Sequence, residues 1–286
     1  MCYCLLYKIH KQQIIDGSGF NYTFIINKIF VKLRKIYLNN GGLINSISED
    51  FMNDKAISDF TNFENTIKYK NRYFVDKSII ESLKSIYKCT SSSLERGLIL
   101  FRGRKHKDID DKLSPLPKDK IINSDPMSAF CGRATPVGIN YLYLASHPEV
   151  CIKELSPRIF DIITIAEFSL NKEIKIVNFA DSFPNIDNYL ETLTWKAKLL
   201  FNEPQISSLP ELDYLPSQFI CELAKLEGFD GVKYHSAKEP YCVNHRYNLV
   251  LFDLALANII ETNRKIYKVN SIEYDYDDLQ ISAQHL

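Results

Sequence analysis

At 286 residues the chain is long enough for one large domain, or two modest ones, with a sizeable core. Hydrophobic residues make up 45% and charged residues 24%, which is the balance of a globular protein and not of a disordered one. The 35 Lys and Arg match 35 Asp and Glu, so no bulk field draws the chain to nucleic acid or to an anionic membrane.

The opening MCYCLLY is apolar but short and has no basic leader, so it does not read as a signal peptide. No run reaches the length of a membrane-spanning helix. The seven cysteines (Cys2, Cys4, Cys89, Cys131, Cys151, Cys221 and Cys242) contain no CxxC pair and no ligand-like spacing. They read as reduced thiols in a cytoplasmic protein, with no metal site and no disulfide framework.

Residues 1 to about 60 are the least readable, because FNYTFIINKIFVKLRKIYLNN fits strand or helix, and NNGG at 39–42 breaks it. A helix is predicted over 77–88, with Ile79, Ile80, Leu83, Ile86 and Tyr87 on one face, ending before a TSSS turn. LILFRGR then reads as a buried strand that delivers Arg102 and Arg104 at its end. Those arginines are expected to leave opposite faces, one inward and one solvated. Residues 105–131 are polar and carry Pro115, Pro117 and Pro126, a long irregular segment of the kind that often serves function. NYLYLA alternates, with Tyr141, Tyr143 and Ala145 on one face. SHPE starts a helix, with Ser146 as N-cap, Pro148 in the first turn and Glu149 completing a capping box.

Further on, DIITIAEF and EIKIVNF read as strands and NYLETLTWKAKLLF (188–201) as an amphipathic helix. PSQFICELAKLEGFDGVKYHS reads as a helix closed by Gly228, then a turn and a short strand. NLVLFD (248–253) is a final buried strand, and SIEYDYDDLQISAQHL an acidic, peripheral tail. Short strands with helices at irregular intervals point to α+β rather than to a regular βαβ series.

Among candidate site residues, Glu154 lies four residues after Val150 and three after Cys151, on an apolar helical face. It is either a carboxylate with a partner or a task, or a surface residue on a frayed last turn. Arg133 follows Gly132, and guanidinium forks suit phosphate, although a salt bridge explains a lone arginine equally well. His147 and His235 read as structural, since His235 and Ser236 are sequence neighbours on opposite strand faces. GxGxxG, Walker A, HExxH and GxSxG are all missing from the sequence, so nucleotide, zinc and hydrolase motifs lend no support.

Four segments together resemble the RES domain family: LFRGR (100–104), GRATPVGINYLYLASHPEVCIKEL (132–155), YLPSQFICELAKLEGFDGVKYHS (214–236) and YNLVLFD (247–253). The resemblance covers roughly residues 95–255, leaving 1–94 as an N-terminal extension packed on the core and 256–286 as the acidic tail. It implies an ADP-ribosyltransferase-like mixed sheet core with flanking helices. It also implies a toxin that consumes NAD as substrate, with no recycled cofactor and no metal. NAD phosphorylase, releasing nicotinamide and ADP-ribose-1″-phosphate, is the foremost activity, with NAD glycohydrolase or protein ADP-ribosyltransferase as alternatives. By the same resemblance Glu154 stabilises the ribose charge and Tyr143 stacks on or orients the nicotinamide end. Ser236 hydrogen-bonds substrate, while Arg102 (or Arg104) and Arg133 clamp pyrophosphate or phosphate. The family's usual partner is an Xre-type antitoxin. A non-catalytic nucleotide-binding module is a reading of another class, and direct nucleic-acid binding is disfavoured by the zero net charge.

Overall fold

The fold is built from a layer of four longer helices, a mixed sheet and short connecting helices, seen here in a computed structural model. It describes residues 53–107, 114–122, 132–181, 188–202, 210–236, 238 and 246–273. Nearly all of these belong to one compact unit, Met52–Ser271. The expectations for the first 52 residues, for the acidic tail beyond 273, and for Cys2, Cys4, Cys131 and Cys242 lie outside the described residues.

Helix α1 (Asp54–Tyr69) is capped by Asn53, whose side chain accepts the Ala56 N–H at 3.0 Å. Helix α2 (Lys77–Thr90) starts at Asp76, which caps Ser78 N–H at 2.7 Å, and buries Ile79, Leu83, Ile86 and Tyr87. That face is the predicted one, with Ile80 only partly buried at its margin. The Ser-rich stretch expected to turn is instead strand β1 (Ser91–Leu94). Strand β2 is Ile99–Lys105, helix α3 Lys118–Ile122, strand β3 Leu142–Ala145, helix α4 Pro148–Glu154, strand β4 Ile162–Leu170 and strand β5 Ile174–Asn178. Helices α5 (Asn188–Asn202) and α6 (Pro210–Leu226) follow, then strands β6 (Gly231–His235), β7 (Tyr247–Leu251) and β8 (Ala257–Lys268). Helix α6 begins upstream of the predicted start, holds Pro216 inside it, and stops before Gly228, whose φ of 85° suits glycine.

The eight strands form one mixed sheet in the order β1-β5-β6-β7-β3-β2-β4-β8. Only β5 and β6 pair in parallel, so the α+β class holds. Strand alternation splits the core into two sides. Tyr141 joins Phe60, Leu83, Tyr87, Phe201 and Ile220 under the helical layer of α1, α2, α5 and α6, with Tyr143 packed against it. Leu142 and Leu144 face the other way, among Leu100, Phe168, Leu249 and Leu251. Each such side chain contributes about 1.5–3 kcal/mol on burial.

Two boundaries drawn from the sequence fall inside this unit. The division at 94 lies between α2 and β2, although α1 and α2 share one hydrophobic cluster with the sheet. The division at 255 lies just before β8, which is an edge strand paired with β4 along its length and not part of a tail. Among the described residues no helix is long and apolar enough to cross a membrane.

Candidate active site

The site begins with a seam in the sheet. All four residues of β3 pair with β7, but only Ala145 pairs with β2, opposite Phe101. Beyond that pair β2 follows β4 alone. The parted strands open a cavity of about 470 Å³, lined by residues 101–104 and 143–145 together with Arg133, Glu154, Tyr214 and Asn248.

Arg102 spans the seam. Its Nε donates to the Ile121 carbonyl and its Nη1 to the Tyr143 carbonyl, both at 2.8 Å. The residue is only 6% exposed, and among the described residues it pairs with no carboxylate. Burial, aided by the charge of Arg104, lowers its pKa to about 9, which leaves it charged at neutral pH. Burial also lowers the pKa of Arg104. A buried cation with neutral partners makes the cavity favourable for an anion. The expectation that Arg104 leaves the opposite face is corrected here: both arginines line the cavity. The two-residue strand repeat puts positions i and i+2 on the same face.

Glu154 is brought to this seam by α4. Gly103 makes room for the helix, since a Cβ there would stand 2.9 Å from Ile165 Cδ1, 3.0 Å from Leu155 Cδ1 and 3.3 Å from Cys151 Cβ. Val150 and Cys151 are buried against the sheet, whereas Glu154 sits exposed at the last turn. Both features anticipated for it are present, because its carboxylate still turns into the cavity wall. Oε1 accepts from Ser236 Oγ at 2.6 Å and from Asn248 Nδ2 at 2.7 Å. Ser236, 3% exposed, accepts the Lys238 N–H at 3.1 Å, so its own proton is committed to the carboxylate. Lys238 Nζ donates to the Glu154 main-chain carbonyl at 2.8 Å, at the helix end where a cation is favoured. Among the described residues Oε2 takes no partner, which leaves it for a ligand.

Ser146 does not cap α4. His147 holds the N-cap position without a side-chain bond, and Ser146 Oγ instead accepts the Tyr247 N–H at 2.9 Å. The capping box gives way to a tie between β3 and β7. His235 Nδ1 contacts the Arg246 carbonyl at 3.1 Å and His147 Nδ1 contacts Ser146 Oγ at 2.9 Å; both are structural contacts.

Arg133 lines the same cavity. Its Nη1 donates to the Leu200 carbonyl at 2.6 Å, and its guanidinium lies 5.8 Å from the centre of the Tyr214 ring. Tyr143 presents its ring to the cavity, but its hydroxyl serves the Arg133 loop, accepting from Ala134 N at 3.1 Å and Thr135 Oγ1 at 3.0 Å. Burial outweighs those two bonds and pushes the phenol up to about 12, so it stays neutral. Phe201, Tyr214 and Tyr234 complete an aromatic wall, with Phe201 and Tyr234 5.4 Å apart. Cys151 is no nucleophile, since burial raises its thiol to about 12. Among the described residues no group of three or more His, Cys, Asp and Glu could hold a metal ion.

Five of the six sequence candidates therefore line one cavity, and Ser236 supports it through Glu154. Asn248, Lys238, Tyr214, Phe201 and Tyr234 were not foreseen. Asn248 carried a usable signal: alternation places it on one face with Val250, a polar residue at a buried position of an apolar strand.

A mixed α+β sheet parted at one seam thus gathers an anchored carboxylate and three guanidiniums, of which that of Arg102 is buried, around one cavity. The RES domain matches residues 115–277, more than half of the chain, and the chain belongs to that family. Arg102 and Arg104 lie just before the matched segment. Among solved structures, the M. tuberculosis MbcT–MbcA toxin–antitoxin complex is similar at 12% identity. The match covers 68% of this chain and 93% of that one, with a TM-score of 0.36. No curated protein matches.

Proposed function

We propose that this cavity cleaves the nicotinamide–ribose bond of NAD and transfers the ADP-ribose to inorganic phosphate. The observation that carries the reading is the Glu154 carboxylate. Among the described residues Oε1 is held by two donors and Oε2 is left over, in a cavity that Arg102, Arg104 and Arg133 also line. As the C1″–N bond breaks, its electron pair leaves with nicotinamide, and positive charge grows on the ribose. A fixed carboxylate stabilises that oxocarbenium-like state, as in glycoside hydrolysis. A phosphate oxygen then forms the new bond to C1″, giving ADP-ribose-1″-phosphate. The three guanidiniums that line the cleft provide for the NAD pyrophosphate and for the incoming phosphate. NAD is the substrate, and the chemistry calls for no resident metal or cofactor.

On this reading the protein acts as a growth-inhibiting toxin restrained by an Xre-type antitoxin. The test is to incubate the purified chain with NAD, with and without phosphate, and weigh the products. Phosphate-dependent ADP-ribose-1″-phosphate is expected. Free ADP-ribose independent of phosphate makes the protein a glycohydrolase, ADP-ribosylated protein makes it a transferase, and intact NAD refutes the enzyme reading.

A further inference from the structure

The loop that carries Arg133 is closed on itself. Gly132 N–H donates to the Thr135 carbonyl at 3.0 Å, and Thr135 N–H donates to the Gly132 carbonyl at 3.2 Å. A ring of four residues held by two such bonds keeps its shape but not its place. Its place comes from α6 together with the Tyr143 hydroxyl, which accepts from Ala134 N–H and Thr135 Oγ1. Gln218, 5% exposed, sends Nε2 to both ring carbonyls, Gly132 O at 2.8 Å and Thr135 O at 3.1 Å. One residue earlier, Ser217 Oγ donates to the carbonyl of Arg133 itself at 2.5 Å. A primary amide suits this task because two N–H bonds diverge from one neutral nitrogen. A lysine would bring a buried charge, and an asparagine is one methylene shorter. The same helix supplies Tyr214, over whose ring the Arg133 guanidinium lies. Helix α6 thus holds both the arginine's loop and its aromatic platform, while the guanidinium itself also donates to the Leu200 carbonyl on α5.

We infer that Gln218 is the positioning residue that sets where Arg133 stands in the cavity, and so tunes affinity for the phosphates of the substrate. This rests on the cavity being the NAD site. Gln218→Met keeps the length and volume and removes both donors. It should raise the NAD KM roughly tenfold while kcat stays within about twofold, since the displaced cation contacts charge that differs little between ground and transition state. In an Arg133→Ala background the same substitution should add nothing to KM, because the group it acts through is gone. Full additivity of the two KM effects overturns the inference, as does an Arg133→Ala protein with the parental KM. Should Gln218→Met not fold, Gln218→Asn, polar but too short to span both carbonyls, should shift KM in the same direction. Amide hydrogen exchange gives a readout that needs no turnover. Exchange at Ala134 and Thr135 should quicken in Gln218→Met while β4 keeps its protection. Unchanged exchange at both amides overturns the inference whatever becomes of NAD. A parent protein that leaves NAD intact refutes the proposed function alone, and the exchange measurement then decides this one.

Discussion

Replacing Glu154 with Gln isolates the role of charge at the seam. Oε1 already accepts from Ser236 at 2.6 Å and from Asn248 at 2.7 Å, so the amide carbonyl can inherit both bonds. The new NH2 then occupies the position of Oε2. Shape and anchoring survive, and the anion is lost. Two unit charges about 4 Å apart at an effective dielectric of about 20 interact by about 4 kcal/mol. At about 1.4 kcal/mol per tenfold, full charge development would be worth about 10³ in rate. Only part of the charge has formed at the transition state, so a fall in kcat of about 10²–10³ is expected, the usual range for loss of such a stabiliser. In the ground state the positive charge lies on the nicotinamide ring and not yet on the ribose, so the NAD dissociation constant should move by less than about threefold. Nicotinamide release measures the first quantity, NAD titration the second, and a thermal melt confirms the fold. In cells the variant should relieve growth inhibition. A folded Glu154→Gln protein that consumes NAD at the parental rate would falsify both the site and the mechanism.

Asn248→Ala leaves the carboxylate held by Ser236 alone; kcat should fall roughly tenfold with KM little changed, and stability should drop by about 1–3 kcal/mol in a denaturant titration. Unaltered kcat would remove Asn248 from the site. Arg102→Ala and Arg104→Ala should both raise the NAD KM more than they lower kcat, because both line the cavity. Only Arg102→Ala should also lower the melting temperature, since it strands the Ile121 and Tyr143 carbonyls; an Arg104 variant with parental KM contradicts the shared face. Gly103→Val should lift α4 and cost about 1–3 kcal/mol of stability along with kcat. Gly103→Ala should be milder, because two of the three atoms its Cβ meets are methyl ends that can yield. Tyr143→Phe removes the oxygen that holds Ala134 and Thr135, so steady-state kinetics should show a raised KM with cleavage intact.

What the sequence made legible follows from periodicity. Apolar runs assigned β2 and β7, and alternation assigned β3 and correctly put Leu142 and Leu144 opposite Tyr141 and Tyr143. The same rule, had it been applied to Arg102 and Arg104, would have placed both guanidiniums together. Strand β1 was hidden because four residues of low strand propensity became a strand only through pairing with β5, a contact eighty or more positions away. Strand β8 alternates weakly, being an edge strand with a register shift opposite Ala166 and Glu167, and so it passed for tail. At the site, helical spacing left Glu154 undecided between core and surface, and the structure explains why. The residue ends its helix, and its direction depends on Gly103 beneath α4 and on Asn248 ninety-four positions later. The cavity was less legible still. It exists because β3 is four residues long and gives all four to β7 but one to β2. No periodic signal reports a pairing that fails to form. The seam nevertheless explains why a charged residue sits within an apolar strand: Arg102 fills the gap that the missing ladder leaves, and in doing so becomes the cation that the cavity offers to an anion.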